Sequence, residues 1–199
     1  RTLAVARNRA GASPCGCPQS GRGEPCPYVD IVMSVIQKKI CLLGDFAVGK
    51  TSLVRRFVED RFDDKYLSTI GVKISRKTMA RGYGTLNLLV WDLAGGDNFD
   101  SGSSYLRGTS GAVIVCDLTR HETLSAYERY AKQVRAVNPD SPLVFVGNKI
   151  DLADQRAISD AELQAVCAAL NGSFLLASAK TGEQVEETFL ALAEQLELH

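Results

Sequence analysis

From Val35 onward the chain alternates between short apolar runs and stretches with an apolar residue every three or four positions. "VIQKKICLLG" predicts a strand ending at Gly44, and Leu53/Phe57 with Val54/Val58 predict a helix over 50–59. "KISRKTMA" and "TLNLLVWD", joined by "RGYG", predict an antiparallel pair of strands. "GAVIVCD" (111–117) and "PLVFVGN" (142–148) are continuously apolar and bounded by turn residues, as in buried parallel strands. Between them Leu124, Tyr127, Ala131, Val134 and Val137 mark a helix. Ser159 and Glu162 form a capping box ahead of the Leu163, Val166, Cys167, Leu170 stripe, and Asn171–Gly172 closes that helix. "SFLLAS" predicts a last strand, and Val185, Phe189, Leu192 and Leu196 the buried face of a final helix. This alternation predicts one α/β domain: a mostly parallel six-stranded sheet with one antiparallel strand and helices on both faces. Ligands of such sheets sit at the carboxyl ends of the strands.

Those ends hold the residues that packing alone does not explain. "GDFAVGKT" (44–51) has the G-x-x-x-x-G-K-[ST] spacing between a strand and a helix. Gly44 and Gly49 let the backbone wrap a phosphate chain and aim N–H groups at it. Lys50 adds a cation and Thr51 a hydroxyl oxygen for Mg²⁺. Asp45, Phe46, Ala47, Val48 and Ser52 complete that loop, which calls for a nucleoside triphosphate without naming its base. "NKID" (148–151) supplies the base. Asp151 can accept two hydrogen bonds from guanine, whereas adenine has neither donor and would leave the carboxylate unpaired, a difference on the order of 10⁴–10⁵ in selectivity. Asn148 and Lys149 brace the loops and cover the ring, and "SAK" (Ser178, Ala179, Lys180) offers a backbone N–H to the guanine oxygen. In "WDLAGGDNF" (91–99) a carboxylate, Asp92, ends a strand and two glycines follow, with no obvious catalytic side chain beside them.

Composition narrows the class further. Lys+Arg and Asp+Glu balance at 23 each, so no global field draws in nucleic acid or an anionic membrane. No run reaches the roughly 18–20 apolar residues of a membrane-spanning helix, so a cytoplasmic protein, monomeric and without nucleic-acid partners, is expected. Cys41, Cys116 and Cys167 lie in apolar patterns and are expected to be reduced core thiols. Residues 1–32 hold four of the six prolines and four arginines with little apolar periodicity. They are expected to be a disordered extension, or sequence upstream of the true start, leaving 33–199 as the nucleotide-binding domain. His121 and His199 lie in polar surroundings, so neither is expected to act as a general base.

The order GDFAVGKT, Thr69, DLAGG, NKID, SAK resembles the Ras superfamily of small GTPases over about residues 35–197, and "STIGV" and "YLRG" are most similar to its Rab branch. The resemblance implies a GTP/GDP-binding switch with Mg²⁺ as cofactor. It implies that Lys50 holds the β- and γ-phosphates, that Thr51 and Thr69 ligate the metal, and that Asp92 supports it through water. The Gly95 N–H would meet the γ-phosphate, Phe62 would pack against guanine, and Tyr66 would fold over the phosphates. Residues 60–72 and 93–107 would be two mobile loops through which effector, exchange-factor and activating proteins bind. In the family the position held here by Gly96 usually carries a water-orienting glutamine, so slow hydrolysis is expected unless Asp97 or Asn98 takes its place. Phe46 stands where the family has a small residue, either crowding the γ-phosphate region or pointing outward. No cysteine follows Cys167, so no direct membrane anchor is expected. The alternative is a nearly non-hydrolysing scaffold whose nucleotide is structural.

Overall fold

The computed structural model describes residues 34–63, 68–81, 84–96 and 103–197. The expectations for residues 1–32, Tyr66, Asp97, Asn98 and His199 lie outside the described residues.

Six strands form one sheet in the order β2-β3-β1-β4-β5-β6. They are β1 (Ser34–Leu43), β2 (Val72–Arg81), β3 (Gly84–Leu93), β4 (Gly111–Asp117), β5 (Leu143–Asn148) and β6 (Ser173–Ala177). All neighbours are parallel except β2 and β3, which pair antiparallel from Val72↔Leu93 to Arg81↔Gly84. The helices are α1 (Lys50–Glu59), α2 (Ser103–Leu106), α3 (Ala126–Val137), α4 (Asp160–Ala169) and α5 (Val185–Glu197). Among the described residues no helix is long and apolar enough to cross a membrane.

Because side chains alternate across a strand, each strand feeds two cores. Ile40, Leu42, Val90, Val113 and Val146 pack with α1 and α5, where Phe57 stacks on Phe189 at 4.0 Å between ring centroids. Cys41, Leu43, Ile114, Cys116 and Phe145 pack on the other face with Tyr127, Tyr130 and Ala131 of α3 and Leu163 and Cys167 of α4. The three core cysteines are buried and free of disulfides. The capping box at α4 forms as expected: Ser159 Oγ accepts from Glu162 N at 3.3 Å and Ser159 N donates to Glu162 Oε2 at 2.8 Å. Asn171 (φ 48°) takes the left-handed turn that ends α4.

The third helix departs from its sequence pattern. Leu124 falls in a separate 3-10 turn (His121–Leu124) rather than in the helix, and Val137, at the last turn, is partly exposed. Tyr130 is buried instead, because its ring lies under the helix while its hydroxyl reaches a polar partner.

Strand order reverses at β1, which has β3 on one side and β4 on the other. The two seams differ in length. β1 pairs with β3 over nine positions (Ser34↔Gly84 to Leu42↔Asp92) but with β4 over only four (Ile40↔Gly111 to Leu43↔Ile114). The crevice expected at such a reversal opens above that short seam.

Candidate functional site

The first wall of the crevice is the turn between β1 and α1. Its backbone needs left-handed angles at Gly44 (φ 144°), Ala47 (φ 61°) and Gly49 (φ 99°). Two of these also need a missing side chain. A Cβ on Gly44 would lie 2.3 Å from the Val115 carbonyl oxygen, and one on Gly49 would lie 2.2 Å from Asn148 Nδ2. The turn delivers the first residues of α1, with their unpaired N–H groups, to the crevice floor. Lys50 is buried, and its Nζ donates to the carbonyls of Gly44 (2.7 Å) and Asp45 (2.8 Å). Burial pushes Lys50 down to about 8, against the charges of Asp92 and Asp45. A cation this desolvated gains much from an incoming anion.

Beside it three oxygen-bearing side chains from different elements converge. Thr51 Oγ1 lies 2.7 Å from Thr69 Oγ1 and donates to Asp92 Oδ2 at 2.5 Å. Asp92 is fully buried, and its Oδ1 has no hydrogen-bond partner among the described residues. Burial pushes its carboxyl up, against the Thr51 hydroxyl and the Lys50 charge. A buried carboxylate oxygen without a partner is costly, and two hydroxyls plus one carboxylate form the sparse, hard donor set that suits Mg²⁺ held jointly with phosphates. The residues fit that ion. Gly95, two residues past β3, is bare for a spatial reason: a Cβ there would lie 2.5 Å from Lys50 Nζ and 2.6 Å from the Asp45 carbonyl. Gly96 is bare for a conformational one. Nothing lies within 4 Å of where its Cβ would be, but its φ is 115°.

The second wall comes from the ends of β5 and β6. Asn148, buried, donates from Nδ2 to the Val48 carbonyl (2.8 Å) and accepts on Oδ1 from Ala179 N (3.1 Å). It thereby ties the phosphate loop to the "SAK" loop. Of the N–H groups of that loop, the one of Ala179 is engaged by Asn148 in this way. Asp151 accepts from Ser178 Oγ at 2.6 Å, and the remainder of its carboxylate faces solvent at the crevice. Lys149, at φ 71°, lays its Nζ on Asp117 Oδ2 at 2.6 Å. Burial would raise the Asp117 carboxyl, but hydrogen bonds from Lys149, Thr119 and Arg120 outweigh it and hold the group low.

Between the walls lies a cleft of about 360 Å³, at the lower end of the roughly 300–1,000 Å³ usual for small-molecule sites. Its lining brings together Phe46, Ala47, Gly49, Lys50, Thr51 and Ser52 with Phe62, Thr69, Gly95, Asn148, Lys149, Asp151, Ala179 and Lys180. Phe46 stands at its lip, 53% exposed, so the ring borders the cleft without filling it. His121 is exposed, pairs with Glu162 at 3.1 Å, and is not among the lining residues.

An outer layer of side chains supports these loops and escaped the sequence reading. Arg56 on α1 donates to the carbonyls of Ala179 (3.2 Å) and Lys180 (2.6 Å). Arg120 joins Asp117 Oδ2 (3.0 Å) to the Phe46 carbonyl (2.8 Å). From α3, Arg129 Nη2 meets Asp45 Oδ1 at 2.5 Å, and Tyr130 Oη lies 3.3 Å from the same oxygen. Only Asp117 carried a usable signal, being a carboxylate at a strand end like Asp92.

The Ras family model matches residues 39–198. Among curated proteins, the chain is 35% identical over 166 residues to Ras-related protein Rab-22A of Homo sapiens, covering 82% of this chain and 86% of that protein. It is 40% identical over 167 residues to the GTP-binding protein ypt5 of Schizosaccharomyces pombe, covering 82% and 79% respectively. To the GTP-binding protein YPTM1 of Zea mays it is 38% identical over 157 residues, 78% of this chain and 76% of that protein.

Proposed function

Since the chain belongs to the Ras family of small GTPases, in its Rab branch, we propose that it is a Mg²⁺-dependent GTP/GDP switch that hydrolyses GTP slowly on its own. The convergence of Thr51, Thr69 and Asp92 beside Lys50, with an Asp92 oxygen left unpaired, carries this reading. Thr69 comes from the loop ahead of β2, Thr51 from α1 and Asp92 from β3, so whatever binds among them decides whether that loop stays docked on the sheet.

GTP would lie across the sheet's point of reversal. Asp151 would accept from the guanine ring N–H and exocyclic amine, while Lys149, held by Asp117, would cover the base. Lys50 would exchange its two carbonyl partners for phosphate oxygens, and the Gly95 N–H would face the γ-phosphate. Thr51, Thr69 and Asp92 would hold Mg²⁺, which neutralises charge on the phosphates during transfer. Phosphoryl transfer in this fold rests on positioning and electrostatics, and the described lining residues include no glutamine, glutamate or histidine to orient the attacking water. Gly96 adds no side chain either. Gly96 thus favours slow intrinsic turnover, with a partner protein needed for shut-off through the surfaces at 60–72 and 93–107.

Gly96 and Phe46 also favour a second reading, a scaffold that binds GTP but does not respond to its loss. Trp91, the single tryptophan of the chain, separates the two. It adjoins Asp92 and sits 6.5 Å from the Tyr105 ring, so its fluorescence reports the second loop directly. Protein preloaded with GTP and Mg²⁺ is followed for phosphate release and Trp91 emission in one turnover. A switch shows an emission change at the rate of phosphate release. Constant emission through a completed turnover, or equal spectra with GDP and a GTP analogue, would rule the switch out in favour of the scaffold.

A further inference from the structure

One side chain of α1 grips the "SAK" loop from behind. Arg56 donates from Nε to the Ala179 carbonyl (3.2 Å) and from Nη2 to the Lys180 carbonyl (2.6 Å). Its third nitrogen, Nη1, reaches the Asp60 carbonyl (3.4 Å) and Asp60 Oδ1 (3.3 Å) at the end of its own helix. The side chain is only 20% exposed. Its stem meets the loop where the backbone turns back at Gly182 (φ 91°), whose Cβ position lies 3.6 Å from Arg56 Cδ. All three guanidinium nitrogens are engaged, and the planar fork fixes the two loop carbonyls relative to each other.

What the grip does follows from the peptide unit. In a trans peptide the C=O and N–H point in opposite directions, so holding the Ala179 carbonyl turns the Lys180 N–H away from Arg56. That group differs from its neighbours. The Ser178 N–H goes to the Glu183 carbonyl (3.0 Å), that of Ala179 to Asn148 Oδ1 (3.1 Å), that of Thr181 to Ser178 Oγ (3.1 Å) and that of Gly182 to the Ser178 carbonyl (2.8 Å). Among the described residues the Lys180 N–H has no partner. Ala179 and Lys180 both line the cleft, as does Asp151, which the Ser178 hydroxyl ties to the same loop at 2.6 Å. An N–H edge and a carboxylate thus stand side by side, the complement of a base edge that carries an oxygen next to N–H groups.

We propose that Arg56 is a positioning residue for guanine recognition: by holding the Ala179 and Lys180 carbonyls it keeps the N–H edge of their loop aimed at the 6-oxygen of the base, beside the Asp151 carboxylate. The role rests on the reading that guanine occupies this end of the cleft. It goes beyond that reading in placing control of one base edge on α1, the helix whose first turn carries Lys50 and Thr51. Arg56 is not among the lining residues, so it acts only through the loop it holds.

The test is equilibrium binding of three diphosphates with Mg²⁺ to the full chain and to Arg56→Met. They are GDP, inosine diphosphate and 2-aminopurine riboside diphosphate. The second keeps the 6-oxygen and the ring N–H but lacks the amine. The third keeps the amine but lacks the 6-oxygen and the ring N–H. Loosening the N–H edge should weaken GDP and inosine diphosphate alike, by roughly 5- to 10-fold, and leave the 2-aminopurine nucleotide within about twofold. Arg56→Lys keeps the charge without the fork; it should show the same pattern in smaller measure, and it carries the test if Arg56→Met does not fold. Unchanged GDP affinity in the folded variants overturns the proposal. So does an equal loss of all three nucleotides, which marks Arg56 as support for α1 as a whole. A larger loss for GDP than for inosine diphosphate overturns it too, since the effect then lies at the amine and Asp151. A wild type that binds ADP as tightly as GDP sinks the guanine reading itself, before any variant is compared.

Discussion

Replacing Gly96 tests whether the missing side chain or the backbone it permits governs turnover. Its φ of 115° lies in the region that L side chains rarely adopt, while the space around its Cβ position is open. The cost of a side chain there is therefore conformational, about 1–3 kcal/mol for a strained backbone position. If the present conformation is the one that receives the γ-phosphate, Gly96→Ala should weaken a GTP analogue relative to GDP by roughly 5- to 150-fold. Gly96→Gln carries the same strain and adds an amide able to orient water. Single-turnover hydrolysis at saturating nucleotide then separates the contributions, because Gln and Ala share the backbone cost. Gly96→Gln should turn over at least about tenfold faster than Gly96→Ala, given that positioning dominates this chemistry. An analogue affinity untouched by Gly96→Ala would refute the strain argument. Equal rates for Ala and Gln would show that the missing side chain does not limit turnover.

Other outcomes follow from the same geometry. Asp151→Ala removes two charge-assisted hydrogen bonds worth about 1.5–3 kcal/mol each, so GDP binding by calorimetry should weaken by roughly 10²–10⁴ and discrimination against ADP should collapse. Asp92→Ala should abolish the tightening of GDP by Mg²⁺ while leaving binding in a chelator nearly unchanged, as titration with and without the metal would show. Burial holds Lys50 at about 8 and phosphate would draw it up, so its contribution to affinity is complete below pH 8 and fades as pH rises above it. GDP affinity measured in a chelator should be flat to about pH 8 and then fall by up to about tenfold per unit. Phe57→Ala breaks the stack on Phe189 and should lower unfolding stability by about 3–5 kcal/mol in urea titration.

The sheet was legible because β4 and β5 are unbroken apolar runs between turns, and β1 to β3 keep their patterns to within a residue or two. The inner ring of the site was legible because its residues are contiguous: 44–51, 148–151 and 178–180 each carry their chemistry within a few positions. The outer ring was not. Arg56, Arg120, Arg129 and Tyr130 act through a single turn of helix or loop on partners 74 or more positions away, as with Arg120 and Phe46 or Arg129 and Asp45. No local spacing encodes such pairs. The third helix shows the same limit, since an apolar stripe could not reveal that Tyr130 is buried for its hydroxyl as much as for its ring. Nor could it show that the Ala179 N–H is shared with Asn148.

The unequal seams of β1 bear on how the molecule comes apart. The long seam joins β1 to β3 and through it β2, a local assembly from the first half of the domain. The short seam alone links this half through backbone pairing to β4, β5 and β6. The residues proposed for the phosphates belong to the first half and those proposed for the base edge, Lys149 and Asp151, to the second, with Asn148 as a side-chain bridge between them. A bound nucleotide therefore acts as a rivet across the weakest joint of the sheet. Without it, amide exchange should begin at that joint, and the empty protein should unfold as two halves that loosen separately rather than as one block.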